Sequence, residues 1–186
     1  MKSLLQLSEV YAILEPGPVV LLGTSLGGRA NLMPLSWHCM MEFEPPLVGC
    51  VVSAGNHSFS ALQATGECVI NVPTESLARQ LVGCGNCHGD QCDKFACFGL
   101  TPMPSAEVAV PRVDECFANL ECRVVDRQLV DRYNFFILQV VQAWIDPSVT
   151  APRTLHHRGY GKFMLAGKKS SSLQRCVERR RSHTQP

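Results

Sequence analysis

The chain has 186 residues, of which 46% are hydrophobic and 18% are charged, and its formal net charge is +1. This size and composition fit one globular domain with a buried core, and the charge indicates no nucleic-acid or membrane partner. No signal-peptide pattern opens the chain, and the apolar run at 19–22 is too short to span a bilayer. We therefore expect a cytoplasmic protein whose ten cysteines are buried or free thiols rather than a disulfide framework.

The first half of the chain predicts short strands and short helices in alternation. The predicted strands cover residues 18–25, 30–33, 47–53 and 67–72. The predicted helices cover residues 4–14, 58–65 and 75–82. Gly27 and Gly28 form the turn between the first two strands, and Thr74 is the predicted N-cap of the last helix, which Gly83 or Gly85 ends.

The second half is richer in β structure. Residues 119–130 and 133–146 are two long runs of β-branched and aromatic residues, separated by only Asp131 and Arg132, which predicts a hairpin. Residues 158–163 form a glycine-hinged loop. Many short strands with few helices indicate a mainly β fold, a barrel or sandwich with peripheral helices. Because no Gly-x-Gly-x-x-Gly follows a strand, a nicotinamide would not be held in a Rossmann domain.

A predicted loop within residues 29–53 carries the most promising binding chemistry. Its amide, hydroxyl, indole and imidazole side chains belong to Asn31, Ser36, Trp37 and His38, and a Met33-Pro34 turn precedes them. Such a mixture on a strand scaffold suits a flat ring with polar edges and a charged tail, and we expect FMN. Trp37 fits a core position as well as it fits the wall beside an aromatic ring.

A small-residue turn leading into a helix offers a place for the phosphate of such a ligand. The turn consists of Ser53, Ala54, Gly55, Asn56, His57 and Ser58. A helix N-terminus is positive and rich in free N–H groups, and the Ser58 hydroxyl adds a further donor. Ordinary helix capping explains the same residues equally well.

The segment Cys84-Gly85-Asn86-Cys87-His88 matches the pattern of covalent haem attachment. With Cys92 and Cys97 nearby, zinc or an iron–sulfur cluster is a further alternative, although a second Cys-x-x-Cys is missing. Reactive thiols beside a redox site, or plain packing, account for these cysteines without any metal. We keep a metal- or haem-binding redox protein acting through Cys84, Cys87 and His88 as the third functional alternative.

Together these stretches resemble the flavin reductase-like family of FMN-binding split barrels, and within it the flavoredoxin-type branch, over about residues 14–167. The motifs that carry the resemblance are Asn31-Leu32-Met33-Pro34-Leu35-Ser36-Trp37, Pro45-Pro46-Leu47-Val48, Cys84-Gly85…Gly89…Asp93-Lys94-Phe95 and Gly161-Lys162-Phe163. Each motif alone is weak, and their order along the chain makes the set specific.

The resemblance implies a split β-barrel domain over residues 1–168, followed by a flexible basic tail over 169–186. It also implies a homodimer with FMN near the subunit interface. The residues that it assigns to FMN are Asn31, Trp37, Ser58, Lys94 and Phe163. Many members carry a histidine near Tyr133, and the resemblance leaves open whether Tyr133 takes over that contact. We include Tyr133 among the candidate FMN residues.

The function that we expect is an NAD(P)H:flavin oxidoreductase, in which FMN passes electrons from NADH or NADPH to a flavin or another acceptor. The alternative is a flavoredoxin-like electron carrier with a protein donor and little NAD(P)H activity. In either case the flavin carries the chemistry and the protein supplies binding and electrostatics. The sequence shows no convincing catalytic triad, and a flavoprotein needs no side chain as a general acid or base.

Overall fold

An eight-stranded antiparallel sheet is the framework of the computed structural model, which describes residues 2–14 and 17–166. The predicted tail, 169–186, lies outside the described residues. The strands are β1 (Ser3–Leu4), β2 (Val20–Leu26), β3 (Arg29–Leu35), β4 (His38–Phe43), β5 (Pro46–Val51), β6 (Glu67–Val72), β7 (Pro102–Met103), β8 (Arg112–Val113), β9 (Ala118–Asp126), β10 (Phe135–Ile145), β11 (Leu155–His157) and β12 (Phe163–Leu165). The main sheet has the order β3-β2-β6-β9-β10-β5-β4, with β1 paired to β10.

The helices are short and lie on the periphery of the sheet, as predicted. They are α1 (Tyr11–Leu14), α2 (His57–Thr65), α3 (Ala78–Asn86), α4 (Lys94–Phe98) and α5 (Val130–Tyr133), with 3-10 turns at Leu7–Glu9 and Glu75–Leu77. None of the helices in the described ranges is long and apolar enough to cross a membrane. The mainly β fold class with peripheral helices is confirmed.

Strand β2 is buried on both faces, which explains the apolar run at its start. Successive side chains of a strand point to opposite faces of the sheet. Val20 and Leu22 accordingly join the main core, whereas Leu21 joins a second cluster. That second cluster also contains Leu81 of α3 and Phe95 of α4. The two helices are therefore held against the sheet beside β3.

The stretch predicted as a loop between two strands is mostly strand. The strand predicted over residues 30–33, which holds Asn31 and Met33, is confirmed as part of β3. It continues through Pro34, because β2 and β3 pair continuously from Leu26↔Arg29 to Val20↔Leu35. Pro34 is tolerated there since β3 is the first strand of the sheet path, so one of its edges has no strand partner in the described part of the chain. His38 begins β4, so the connection contains only residues 36 and 37.

Helix α3 does not end at Gly83 or Gly85, as the sequence predicted, but continues to Asn86. Both glycines allow close packing instead. A Cβ at Gly83 would overlap the Phe98 ring, and one at Gly85 would come within 3.1 Å of Pro34 Cγ. Residue 74 precedes the 3-10 turn, and its hydroxyl bonds to the Ser76 hydroxyl (2.8 Å) rather than to a backbone N–H.

Two other predicted elements need correction. Strands β9 and β10 do form an antiparallel pair, but residues 127–134 connect them, and Asp131 and Arg132 lie within α5 rather than forming a two-residue turn. The helix predicted over 4–14 is divided into β1, a 3-10 turn and α1. The predicted helix does not begin at residue 4, because Ser3 and Leu4 pair with β10 as part of the sheet.

The prediction that the cysteines are buried or free thiols fails for one pair. Cys87 and Cys92 are joined by a disulfide. The other seven described cysteines are free, and five of them are buried, which agrees with their predicted role as small hydrophobic residues. Burial raises the pKa of the Cys116 thiol far above its usual range, so this buried thiol stays protonated and inert.

Candidate functional site

A cavity of about 480 Å³ opens where the start of α2, strand β3, the end of α3 and the loop before α4 meet. We call it the central cleft. Seven of its lining residues are among the predicted site residues, namely Asn31, Met33, Pro34, Asn56, His57, Ser58 and Lys94. The other seven are Cys84, Gly85, Asn86, Cys87, His88, Gly89 and Gln91. The fold thus gathers residues from four separate parts of the chain around one space.

Lys94 is a buried cation in the wall of the central cleft, with only 3% of its surface exposed. It opens α4, whose first turn is fixed because Asp93 Oδ1 accepts two backbone N–H groups. The Lys94 ammonium donates to the carbonyl oxygens of Leu32 (2.6 Å) and Cys84 (2.8 Å). Burial lowers the pKa of Lys94. An ammonium has three N–H donors, so these two bonds leave one for a ligand.

Ser58 presents a hydroxyl donor to the same cleft. The residue is fully buried, and its oxygen accepts hydrogen bonds from Asn31 Nδ2 (2.8 Å) and Thr24 Oγ1 (3.3 Å). A hydroxyl has two acceptor positions and one proton. Because the two incoming bonds occupy both acceptor positions, the Ser58 proton is left to donate to a further group.

Asn31 contributes a buried hydrogen-bond acceptor to the cleft. Its side chain is buried, and Oδ1 has no hydrogen-bond partner among residues 2–14 and 17–166. Gly89 lies directly against it, since a Cβ at that position would come 2.6 Å from Asn31 Oδ1 and 2.7 Å from His57 Cδ2. A buried acceptor without a donor costs about 1–3 kcal/mol, so a ligand that donates to Oδ1 would recover that free energy.

The N-terminus of α2 adds a positive dipole end to the cleft. The helix has nine residues, and the side chain of its N-cap, Asn56, makes no capping bond within the described part of the chain. The first N–H groups of a helix lack intrahelical acceptors and attract anions. Together with Ser58 and Lys94, this helix end makes the central cleft suitable for an anionic group such as a phosphate.

A second cavity, of about 320 Å³, shares Pro34, Gly85 and Asn86 with the central cleft. We call it the side groove. Its remaining lining residues are Ser36, Leu81, Val82, His157, Gly161 and Phe163. The His157 and Phe163 rings stand 5.2 Å apart. The groove therefore offers apolar and aromatic surface next to the polar cleft, and it places the predicted residues Ser36 and Phe163 beside the site.

Five predicted residues line neither cavity. Trp37 is 71% exposed and Tyr133 is 52% exposed. Ser53, Ala54 and Gly55 lie in an exposed turn before α2, where the Ser53 carbonyl accepts the N–H of Asn56 (2.9 Å). The contacts of these five residues with FMN stay predictions.

The end of α3 and the loop that follows it supply the lining residues that the sequence did not predict as FMN contacts. Their motif, Cys84-Gly85…Gly89…Asp93-Lys94-Phe95, predicted an FMN contact for Lys94 alone and a metal- or haem-binding alternative for Cys84, Cys87 and His88. The described residues contain no group of three or more His, Cys, Asp or Glu side chains arranged to hold a metal ion. His88 instead pairs through Nδ1 with Asp90 Oδ1 (2.6 Å).

Residues 14–164 match the family described as flavin reductase like domain, and the chain belongs to this family. An FMN-binding domain of a flavin reductases-like enzyme from Shewanella baltica OS155 superposes with a TM-score of 0.86 at 27% identity, covering 92% of this chain and 97% of that one. The resemblance read from the sequence and the split-barrel fold are thereby confirmed.

Two further relatives agree with this assignment. The uncharacterized protein YddH of Escherichia coli (strain K12) is 28% identical over 179 residues, covering 89% of this chain and 95% of its own length. Flavoredoxin of Desulfovibrio vulgaris (Miyazaki F) has a TM-score of 0.77 at 21% identity and covers 85% of this chain and 91% of its own. This second similarity concerns the fold alone.

Proposed function

We propose that the protein binds FMN in the central cleft and acts as an FMN-dependent oxidoreductase. The observation that carries this proposal is the position of Lys94 in the wall of a cavity of ligand size. It is a buried cation, and its bonds to two carbonyls leave one N–H donor for a ligand. Membership of the flavin reductase-like family, which includes the FMN-binding domain from Shewanella baltica, supports FMN as the ligand.

The residues present fit FMN. Lys94, Ser58 and the first N–H groups of α2 would hold the phosphate, since all three offer donors to the central cleft. Asn31 Oδ1, the orphaned acceptor, would receive a hydrogen bond from a hydroxyl or N–H of the ligand. The ring would extend toward the side groove, where Phe163 offers aromatic surface. When bound, FMN supplies the redox chemistry.

The donor that we propose is NADH or NADPH, which passes electrons through FMN to a flavin or another acceptor. All sheet pairings in the described residues are antiparallel, so a nicotinamide would enter the open cleft rather than a Rossmann crevice. The protein's own part is to position the two reactants and to keep water away from them. A flavoredoxin-like carrier with a protein donor is the alternative.

Reduction experiments on the purified protein distinguish the reductase from the electron carrier. The chain is saturated with FMN, the bound flavin spectrum is recorded, and NADH or NADPH is mixed in without oxygen. Bleaching of bound FMN much faster than that of free FMN supports the reductase. A protein that retains FMN but is reduced only by a protein donor supports the carrier. Failure to bind FMN under any of these conditions refutes the proposal.

We also propose that two copies associate through the outer edge of β4, the last strand of the sheet path, which pairs with no strand among residues 2–14 and 17–166. Trp37, which is 71% exposed, and Met41, which is 45% exposed, offer apolar surface at this edge. Light scattering tests the proposal, because the wild-type chain should have twice the mass of a monomer. Trp37→Ser should shift the mass toward the monomer, whereas an unchanged monomeric mass of the wild type would exclude the dimer.

A further inference from the structure

The Cys87–Cys92 disulfide lies in the wall between two cavities. Cys87 lines the central cleft. Cys92 lines a third cavity of about 270 Å³, the outer groove, together with Arg29, Asp93 and other residues. Gly89, between the two cysteines, lines both cavities. The bond thus connects a residue that lines the central cleft to a residue that lines the outer groove.

Both sulfurs belong to partly exposed residues, which distinguishes them from the inert thiols of the core. Cys84, although it has the Cys-x-x-Cys spacing to Cys87, is buried in α3 and its pKa is raised by burial to about 11. A thiol in this state is a poor nucleophile near neutral pH. The structure pairs Cys87 with Cys92, five residues further along, and leaves Cys84 as a buried free thiol.

The disulfide also fixes the loop that contacts the ligand residues. It ties the residue after α3 to the residue before Asp93, the N-cap of α4. Between these points, Gly89 presses against Asn31 and His57, and Arg29 donates to the Asp90 carbonyl (3.5 Å). Closing a short loop covalently restricts its conformations, so breaking the bond releases this part of the cleft wall.

We propose that Cys87–Cys92 is a redox-active disulfide, reduced by an external dithiol that approaches Cys92 through the outer groove. A thiolate of the dithiol attacks Cys92 Sγ, the S–S bond breaks, and its electron pair leaves on Cys87 Sγ, which takes a proton. The second thiol of the reductant then displaces Cys92 as a thiol and closes the reductant's own disulfide. Two electrons and two protons are transferred in total.

Equilibration in mixtures of reduced and oxidised dithiothreitol, followed by alkylation and mass spectrometry, tests the exchange. One reversible transition should add two alkyl groups to the peptide that holds Cys87 and Cys92. Cys87→Ser and Cys92→Ser should each abolish it, whereas Cys97→Ser, which removes an exposed free thiol nearby, should preserve it. Two free thiols in fully oxidised buffer, or a bond that excess dithiothreitol does not open, would overturn the proposal.

The predicted direction of attack has its own test in the single-cysteine variants. A small aromatic disulfide reagent should react faster with Cys92 in Cys87→Ser than with Cys87 in Cys92→Ser. The reverse order would contradict attack from the outer groove. Circular dichroism of both variants checks that they are folded.

The coupling to the cleft rests on the proposed FMN site. FMN should bind about fivefold more tightly to the oxidised wild type than to the reduced one, at the lower end of ordinary coupling between two sites. The difference should vanish in Cys92→Ser. Equal affinities of the two wild-type states would refute the coupling. If neither state binds FMN, the proposed function fails, whereas the alkylation experiment still decides whether the disulfide is redox-active.

Discussion

Replacing Lys94 by Met removes the buried cation of the central cleft while keeping a long apolar side chain. If the ammonium donates to the FMN phosphate, its loss removes one hydrogen bond to a charged group, worth about 1.5–3 kcal/mol. This corresponds to an increase of roughly 10- to 150-fold in the Kd of FMN. The fold also loses the donor to two buried carbonyls, those of Leu32 and Cys84, although it no longer has to bury a charge.

Riboflavin distinguishes these two effects because it has the same ring and no phosphate. Fluorescence titrations at one ionic strength should show that Lys94→Met lowers the affinity for FMN strongly and the affinity for riboflavin only slightly. Arg79→Met is the matched control, since it removes an exposed positive charge from α3, away from the cleft lining. Thermal unfolding of each variant without ligand reports the change in stability separately.

The assignment of Lys94 to the phosphate would be refuted if the affinities for FMN and riboflavin fell equally, because the cause would then be a distorted cleft. It would also be refuted if FMN affinity did not change. A loss of FMN affinity in Arg79→Met of the same size would show that net charge, rather than a local contact, governs binding.

Three other substitutions test separate contacts. Gly89→Ala should weaken FMN binding about tenfold or more, since a Cβ there would meet Asn31 Oδ1 at 2.6 Å. Gly55→Ala should bind FMN normally in the same titration, because its Cβ meets no atom closer than 4.0 Å and alanine keeps the backbone N–H of this predicted FMN residue. Ser58→Ala should lower the free energy of unfolding by about 1–3 kcal/mol in chemical denaturation, because the Asn31 donor is left unpaired; an unchanged midpoint would exclude that bond. Burial lowers the pKa of His38 from its ordinary value of 6.5, so unfolding takes up a proton below that pH and the free energy of unfolding falls on acidification. His38→Gln should remove this slope between the two pKa values, and an identical slope in both proteins would show that other groups cause it.

Much of the fold could be predicted from the sequence because its signals are local. The predicted strand 67–72 coincides with β6, Gly66 ends α2 in a left-handed conformation, and Gly27 and Gly28 form the first hairpin turn with positive φ angles. Where local signals are ambiguous, tertiary contacts decide. Gly83 looked like a helix end, but the packing of Phe98 against α3 requires a glycine there and the helix continues.

The candidate site was harder to predict because its contacts join distant parts of the chain. The family-like motif drew attention to Lys94, but not to its burial or to its bonds with residues 32 and 84. No pattern within the loop indicated that Gly89 would lie against Asn31, 58 positions earlier. Trp37 shows that local sequence does not fix burial, because a core position fitted it equally well and its side chain is 71% exposed in the fold.

The order of the strands has a mechanical consequence for the whole molecule. β3 and β4 stand at opposite ends of a seven-strand path, which would span about 29 Å if it were flat. Yet only residues 36 and 37 join them, and such a link reaches at most about 11 Å. The sheet must therefore curl until its first and last strands, β3 and β4, come together at this link. The central cleft, which β3 helps to line, and the apolar edge of β4 therefore lie beside the same seam of the sheet.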